Sequence, residues 1–99
     1  MKPHTIELMG QTYTVREDMV EALQDYVNYG ISVGSFLYAV LAHDLVRACQ
    51  HADHWNLPNL PAYAHYMHWE IPSNCHGSYA IVDAWIKKGG TQGNGNTTA

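Results

Sequence analysis

Two Gly-Ser pairs stand directly before apolar runs in this 99-residue chain: Gly34-Ser35 ahead of Phe36-Leu37, and Gly77-Ser78 ahead of Tyr79-Ala80-Ile81. Serine in that place caps a helix start, where backbone N–H groups lack partners and the peptide dipoles end positive. Glycine beside it lets a ligand approach the backbone closely. This is the general form of an anion cradle, and two of them facing one pocket would hold two phosphates. The same residues also serve as plain caps, since Ser is a preferred N-cap in any helix. Arg47 is the one arginine besides Arg16. If a single helix runs from Ser35 past Asp44, Arg47 lies about three turns from Ser35 and would reach a phosphate only in a pocket shared with another subunit. Otherwise it pairs with Asp44 at i−3, a contact of small value.

Other side chains could complete a nucleotide site. Tyr63 and Tyr66 share a helix face and, with Trp55 and Trp69, could stack a base. Such aromatics also build cores and interfaces. Asp53 and Asn56 could read a base edge or a ribose hydroxyl, or Asp53 could cap the turn that follows it. The ligand-binding set expected from the sequence is Gly34, Ser35, Phe36, Arg47, Asp53, Asn56, Tyr66, Gly77 and Ser78.

The seven histidines raise a metal reading. His51 and His54, and His65 and His68, each stand at i,i+3, and together they would supply a zinc ion's four ligands. Neither pair sits in an HExxH context, and the spacing arises readily in a histidine-rich chain. No metal or cofactor is expected. His43, His54 and His76 form no Ser-His-Asp order, and Cys75 and His76 are adjacent, so they do not aim at each other. No catalytic residue is assigned, and binding without turnover is the expectation.

Composition bounds the partners. The net charge is −4 with five Lys and Arg, which excludes a nonspecific nucleic-acid binder but leaves a small anionic ligand open. No apolar run is long enough to span a membrane, and Met1–Gly10 lacks a secretory apolar core. The two cysteines form no disulfide framework. A soluble cytoplasmic protein is expected. A small domain with 11% aromatic residues also favours a homo-oligomer.

The elements that must position these groups follow from periodicity. Residues 5–15 alternate around Gly10-Gln11 as a β-hairpin, with Ile6 and Leu8 matched to Tyr13 and Val15. Residues 16–29 form a first helix stopped by Gly30. Ser35 caps the next, which Asp44 either interrupts as a second cap or leaves unbroken. Asn59 caps a helix stopped by Pro72, and Ser78 caps a last one that ends at Gly89. The fold class is mainly α: four or five helices with an N-terminal hairpin, one domain over 1–89 with a helical body over 16–89. The Gly/Asn/Thr tail 90–99 is expected to be disordered. The expected core is Val20, Leu23, Val27, Phe36, Leu37, Val40, Leu41, Leu45, Ala48, Ala52, Ile81 and Trp85, with Ala84 also inward.

From Tyr26 to Gly89 the chain resembles a family of small, mostly uncharacterised phage- and prophage-encoded proteins. The likeness is carried by Gly34-Ser35-Phe36-Leu37, Val40-Leu41, Asp44-Leu45, Ala48, Ala52-Asp53, Asn56, Pro72, Cys75, Gly77-Ser78 and Trp85. His76 departs from the pattern, which has an aromatic residue there. By analogy with phage anti-defence sponges, the resemblance implies an oligomer that sequesters a host signalling nucleotide, cyclic or ADP-ribose-like, without cleaving it. Two other readings compete. The acidic face of Glu17, Asp18, Glu21 and Asp25 would let the chain inhibit a basic host protein. The histidine pairs would make it a metal-dependent hydrolase.

Overall fold

The computed structural model of the chain describes residues 2–93. Among them an antiparallel hairpin precedes five α-helices, the mainly α architecture expected from the sequence. Strands β1 (His4–Leu8) and β2 (Gln11–Val15) are joined at Met9-Gly10, whose φ angles are 50° and 78°. Two successive left-handed residues give the turn a twist that matches the strands. The turn therefore lies one residue earlier than the alternation around Gly10-Gln11 implied. Ile6 faces Tyr13, Leu8 faces Gln11 and His4 faces Val15.

Helix α1 (Glu17–Tyr29) buries Val20, Leu23, Tyr26 and Val27 along one stripe. It ends at Gly30, whose φ of 67° suits glycine. A Cβ there would also lie 2.7 Å from the Gly90 nitrogen, because the chain beyond the last helix returns to this point. The N–H groups of Thr91 and Gln92 donate to the carbonyls of Val27 and Asn28 at 2.9 and 2.7 Å, acceptors at the C-terminal end of α1 that have no partner within the helix. Residues 91 and 92 are thus hydrogen-bonded to α1 and Gly90 to the last helix, and of the tail expected to be disordered, residues 94–99 lie outside the described range.

Helices α2 (Ser35–Leu41) and α3 (Leu45–His51) are separate. His43 takes a left-handed φ of 61°, and the Asp44 side chain then accepts from the Arg47 N–H, so the second-cap reading holds over one long helix. A 3-10 turn over Leu57–Asn59 leads into α4 (Leu60–Glu70), and another over Ser73–Cys75 precedes α5 (Tyr79–Lys88). Asn59 takes the N-cap position of α4 as expected, but its side chain makes no cap bond. Its side-chain oxygen instead accepts from the Thr14 N–H at 2.8 Å and ties β2 to the start of that helix.

Helix α4 runs through the core, with Ala62, Tyr63, Tyr66 and Met67 buried. Phe36 from α2 meets Tyr63 edge to face at 5.0 Å, and Tyr66 lies against His4 of the hairpin at 4.9 Å. Of the expected core, Val20, Leu23, Val27, Phe36, Leu37, Leu41, Ala48 and Trp85 are buried, while Val40 and Ala52 pack partly against it. Leu45 and Ile81 do not belong there, being 69% and 39% exposed. Leu45 is the first residue of the short α3 and, though on the same face as Ala48, lies at the rim of a cleft rather than in the packed core. In α5 the buried residues are Val82 and Trp85, and Val82 is one position and about 100° round from Ile81. Ala84 is exposed for the same reason.

Candidate functional site

The Gly34-Ser35 turn is less than a cradle. Gly34, not Ser35, is the N-cap of α2, and no side chain caps the helix. Ser35 is already inside the first turn. The φ of −71° and ψ of 175° at Gly34 are open to any residue, and a Cβ there would meet nothing within 4 Å. No close approach or positive φ requires glycine here. Gly34→Ser should leave stability unchanged or raise it by a few tenths of a kcal/mol, the small difference between glycine and serine caps. A urea melt checks this, and a loss above about 1 kcal/mol would contradict it.

The recess beside this turn, about 490 Å³, does gather Gly34, Ser35, Phe36 and Asp53. It also includes a second carboxylate, Asp18. Two carboxylates make it a poor seat for phosphate. Asp53 is moreover occupied as a turn cap, accepting from the N–H groups of Trp55 and Asn56 at 3.0 and 2.7 Å. Those bonds, led by the one from Asn56, hold its pKa below the ordinary value.

The other expected ligand residues are dispersed. Asn56 is 2% exposed and accepts a 2.7 Å hydrogen bond from the Tyr63 hydroxyl, so it satisfies the core and reads no base. Tyr66 is buried and accepts from the Gln24 amide. Arg47 is exposed, with its Nε 3.7 Å from Asp44. Ser78 caps α5 by accepting from the Ile81 N–H, and the Gly77 N–H donates to the Leu41 carbonyl at 2.8 Å. The two Gly-Ser starts therefore share no pocket: one belongs to the recess by α1, the other joins α5 to the end of α2.

The histidines pair differently from their spacing. His65 meets His4, with Nδ1 and Nε2 2.9 Å apart, and His68 packs edge-on against Trp69. His51 and His54 are exposed. Among the described residues, no group of three or more His, Cys, Asp or Glu side chains is placed to hold a metal. Cys75 is buried, its thiol is directed at the Pro72 carbonyl, and burial pushes its pKa up to about 11, so it remains a thiol rather than a nucleophile.

A second concave feature, with more apolar walls, lies elsewhere. A cleft of about 320 Å³ opens between α2–α3 and α4. Ala39, Val40, Leu45 and Ala48 form one wall, and Leu60, Tyr63, Ala64 and Met67 the other. Its polar groups, His43, Asp44, His68 and His76, complete the lining. The left-handed backbone at His43 brings its Nε2 within 2.7 Å of His76 Nδ1. Asp44 accepts from the Tyr79 hydroxyl at 2.7 Å, and this bond, with the Arg47 N–H, keeps its carboxyl below the usual range. Burial, then His43, lowers the pKa of His76, with a backbone hydrogen bond at Ile71 acting the other way.

Apolar walls with a few convergent polar groups suit a small-molecule site. Sequence reasoning weighed His43, Tyr63 and His76 separately and did not join them into one site, although the His43-Asp44 interruption marked one end of it. Comparison with known proteins adds no assignment, since no family model, curated protein or solved structure matches the chain.

Proposed function

We propose that the protein is a small binding module that holds a nucleotide-type ligand intact in the cleft between α2–α3 and α4. The observation that carries this reading is the cleft itself, about 320 Å³ with two apolar walls and three histidines among its lining. A base would lie between Val40 and Ala48 on one side and Tyr63, Ala64 and Met67 on the other. His43, His68 and His76 would donate to phosphate or ribose oxygens. The resemblance of residues 26–89 to phage-encoded proteins supports a more specific role. In it the chain is an anti-defence accessory protein that sequesters a host immune signalling nucleotide in the host cytoplasm, as a homo-oligomer.

The acidic-inhibitor reading draws less support. Asp18 already pairs with Arg16 at 3.3 Å and Asp25 is half-buried, which interrupts the acidic face of α1. The test is a panel of cyclic dinucleotides, cyclic trinucleotides, ADP-ribose derivatives and mononucleotides. Each is incubated with the protein, assayed by calorimetry, then released by heating and analysed by chromatography. Micromolar or tighter binding with intact recovery is expected. Absence of binding below millimolar concentration would overturn the reading, and recovery of cleaved nucleotide would make the protein an enzyme.

A further inference from the structure

We propose that the hydrogen bonds between His43 and His76 and between His4 and His65 are proton-operated latches, which loosen one end of the cleft and the N-terminal hairpin together on acidification. The inference stands apart from the ligand reading, because it concerns the protein alone. The two bonds measure 2.7 and 2.9 Å and join rings 33 and 61 positions apart in the chain. One fastens the corner between α2 and α3 to the segment before α5. The other fastens β1 to α4.

A ring-to-ring N–H···N bond needs one lone pair, so one imidazole of each pair must be neutral. A first proton is tolerated, since an imidazolium can donate to a neutral partner. A second removes the acceptor and sets two positive rings against each other, with centroids 4.9 Å apart in one pair and 5.1 Å in the other.

The surroundings oppose that second proton. His76 faces His43 from the α2–α3 corner and His68 from α4, with Asp44 lining the same cleft. The Asp44 carboxylate is taken up by the Tyr79 hydroxyl and the Arg47 N–H and gives His76 no direct partner. His4 faces His65, Tyr66 and Glu70 from α4. Burial first, then His65, lowers its pKa against the weaker opposing pull of Glu70.

The sign follows from linkage. His4 and His76 bind protons more weakly folded than unfolded, so their contribution is present above the unfolded value of 6.5 and is lost as pH falls below it. The depressed carboxylates Asp44 and Asp53 lose their contribution only below 3.8, so the two acid windows are separate. Bonds without a titrating side chain, Gly77 N–H to Leu41 and Thr14 N–H to Asn59, persist next to each latch and keep the loosening local.

The experiment uses ligand-free protein. Histidine ring resonances are titrated by NMR, and amide exchange, corrected for its intrinsic pH dependence, is followed between pH 7.5 and 5.5. His4 and His76 are expected to titrate below 6.5. Opening of residues 4–15 and 71–78 is expected to rise with acid, by up to about tenfold per pH unit for each proton taken up. His65→Gln should abolish this pH slope in the hairpin and leave it at 71–78, and His43→Gln should do the reverse. Titration of His4 and His76 at or above 6.5, opening that does not change with pH, or slopes that survive both substitutions would overturn the proposal.

Discussion

Tyr26→Ala is expected to destabilise the fold by about 3–5 kcal/mol, the range for removing a fully buried large aromatic ring. Tyr26 is 0% exposed and sits where three parts of the chain converge. Its ring fills the core beneath α1. Its hydroxyl donates to the Cys75 carbonyl at 2.7 Å, linking α1 to the turn before α5. Its own carbonyl accepts from the Trp85 indole at 3.0 Å, linking α1 to α5. Burial pushes the phenol's pKa well up, so it stays a donor throughout the working range. Tyr26→Phe separates the two contributions: it keeps the ring, leaves the Cys75 carbonyl unpaired, and should cost about 1–3 kcal/mol. Urea denaturation of both variants provides the check. Near-native stability of Tyr26→Ala would mean that α1 does not pack through this residue.

The elements were legible where local chemistry decides them. Gly30, Ser78, Gly89 and the stripe of Val20, Leu23 and Val27 act within a turn or two of themselves, and the structure places them as the sequence implied. Rotation within α5 was not legible, because Ile81 and Val82 are both apolar neighbours and only tertiary packing chooses between them. The hairpin turn moved to Met9-Gly10 because methionine accepts a left-handed φ there, against its own preference. The contact at the start of the tail was not legible either: Gly90 fits against Gly30 because neither has a side chain, and the two are 60 residues apart in sequence.

The site was less legible than the fold. Asn56 and Tyr66 read as ligand groups by residue type, yet each is buried and satisfies a polar partner inside the molecule. Gly34-Ser35 looked like an anion cradle because the sequence does not show the carboxylates of Asp18 and Asp53 brought beside it. The His43–His76 pair depends on a left-handed residue and a loop, neither of which leaves a periodic signal.

Ala64→Trp is expected to remove ligand binding while leaving the fold intact. Ala64 lies within α4, lines the cleft and is exposed, so a larger side chain there has space to occupy and no packed neighbour to displace. That space is the cleft, and an indole in it competes directly with a base. Helix formation tolerates the change at a few tenths of a kcal/mol. The loss of affinity should be at least about tenfold, the factor that 1.4 kcal/mol represents, and complete if the indole fills the gap between the walls. Gly34→Ser is the matched control, since it alters the other recess and leaves the cleft untouched. The measurement is therefore isothermal titration of the wild type, Ala64→Trp and Gly34→Ser with the nucleotide held most tightly, with circular dichroism to confirm that each is folded. Binding lost in Ala64→Trp and kept in Gly34→Ser is the expected result, whereas a folded Ala64→Trp protein with wild-type affinity would contradict the assignment of this cleft as the ligand site.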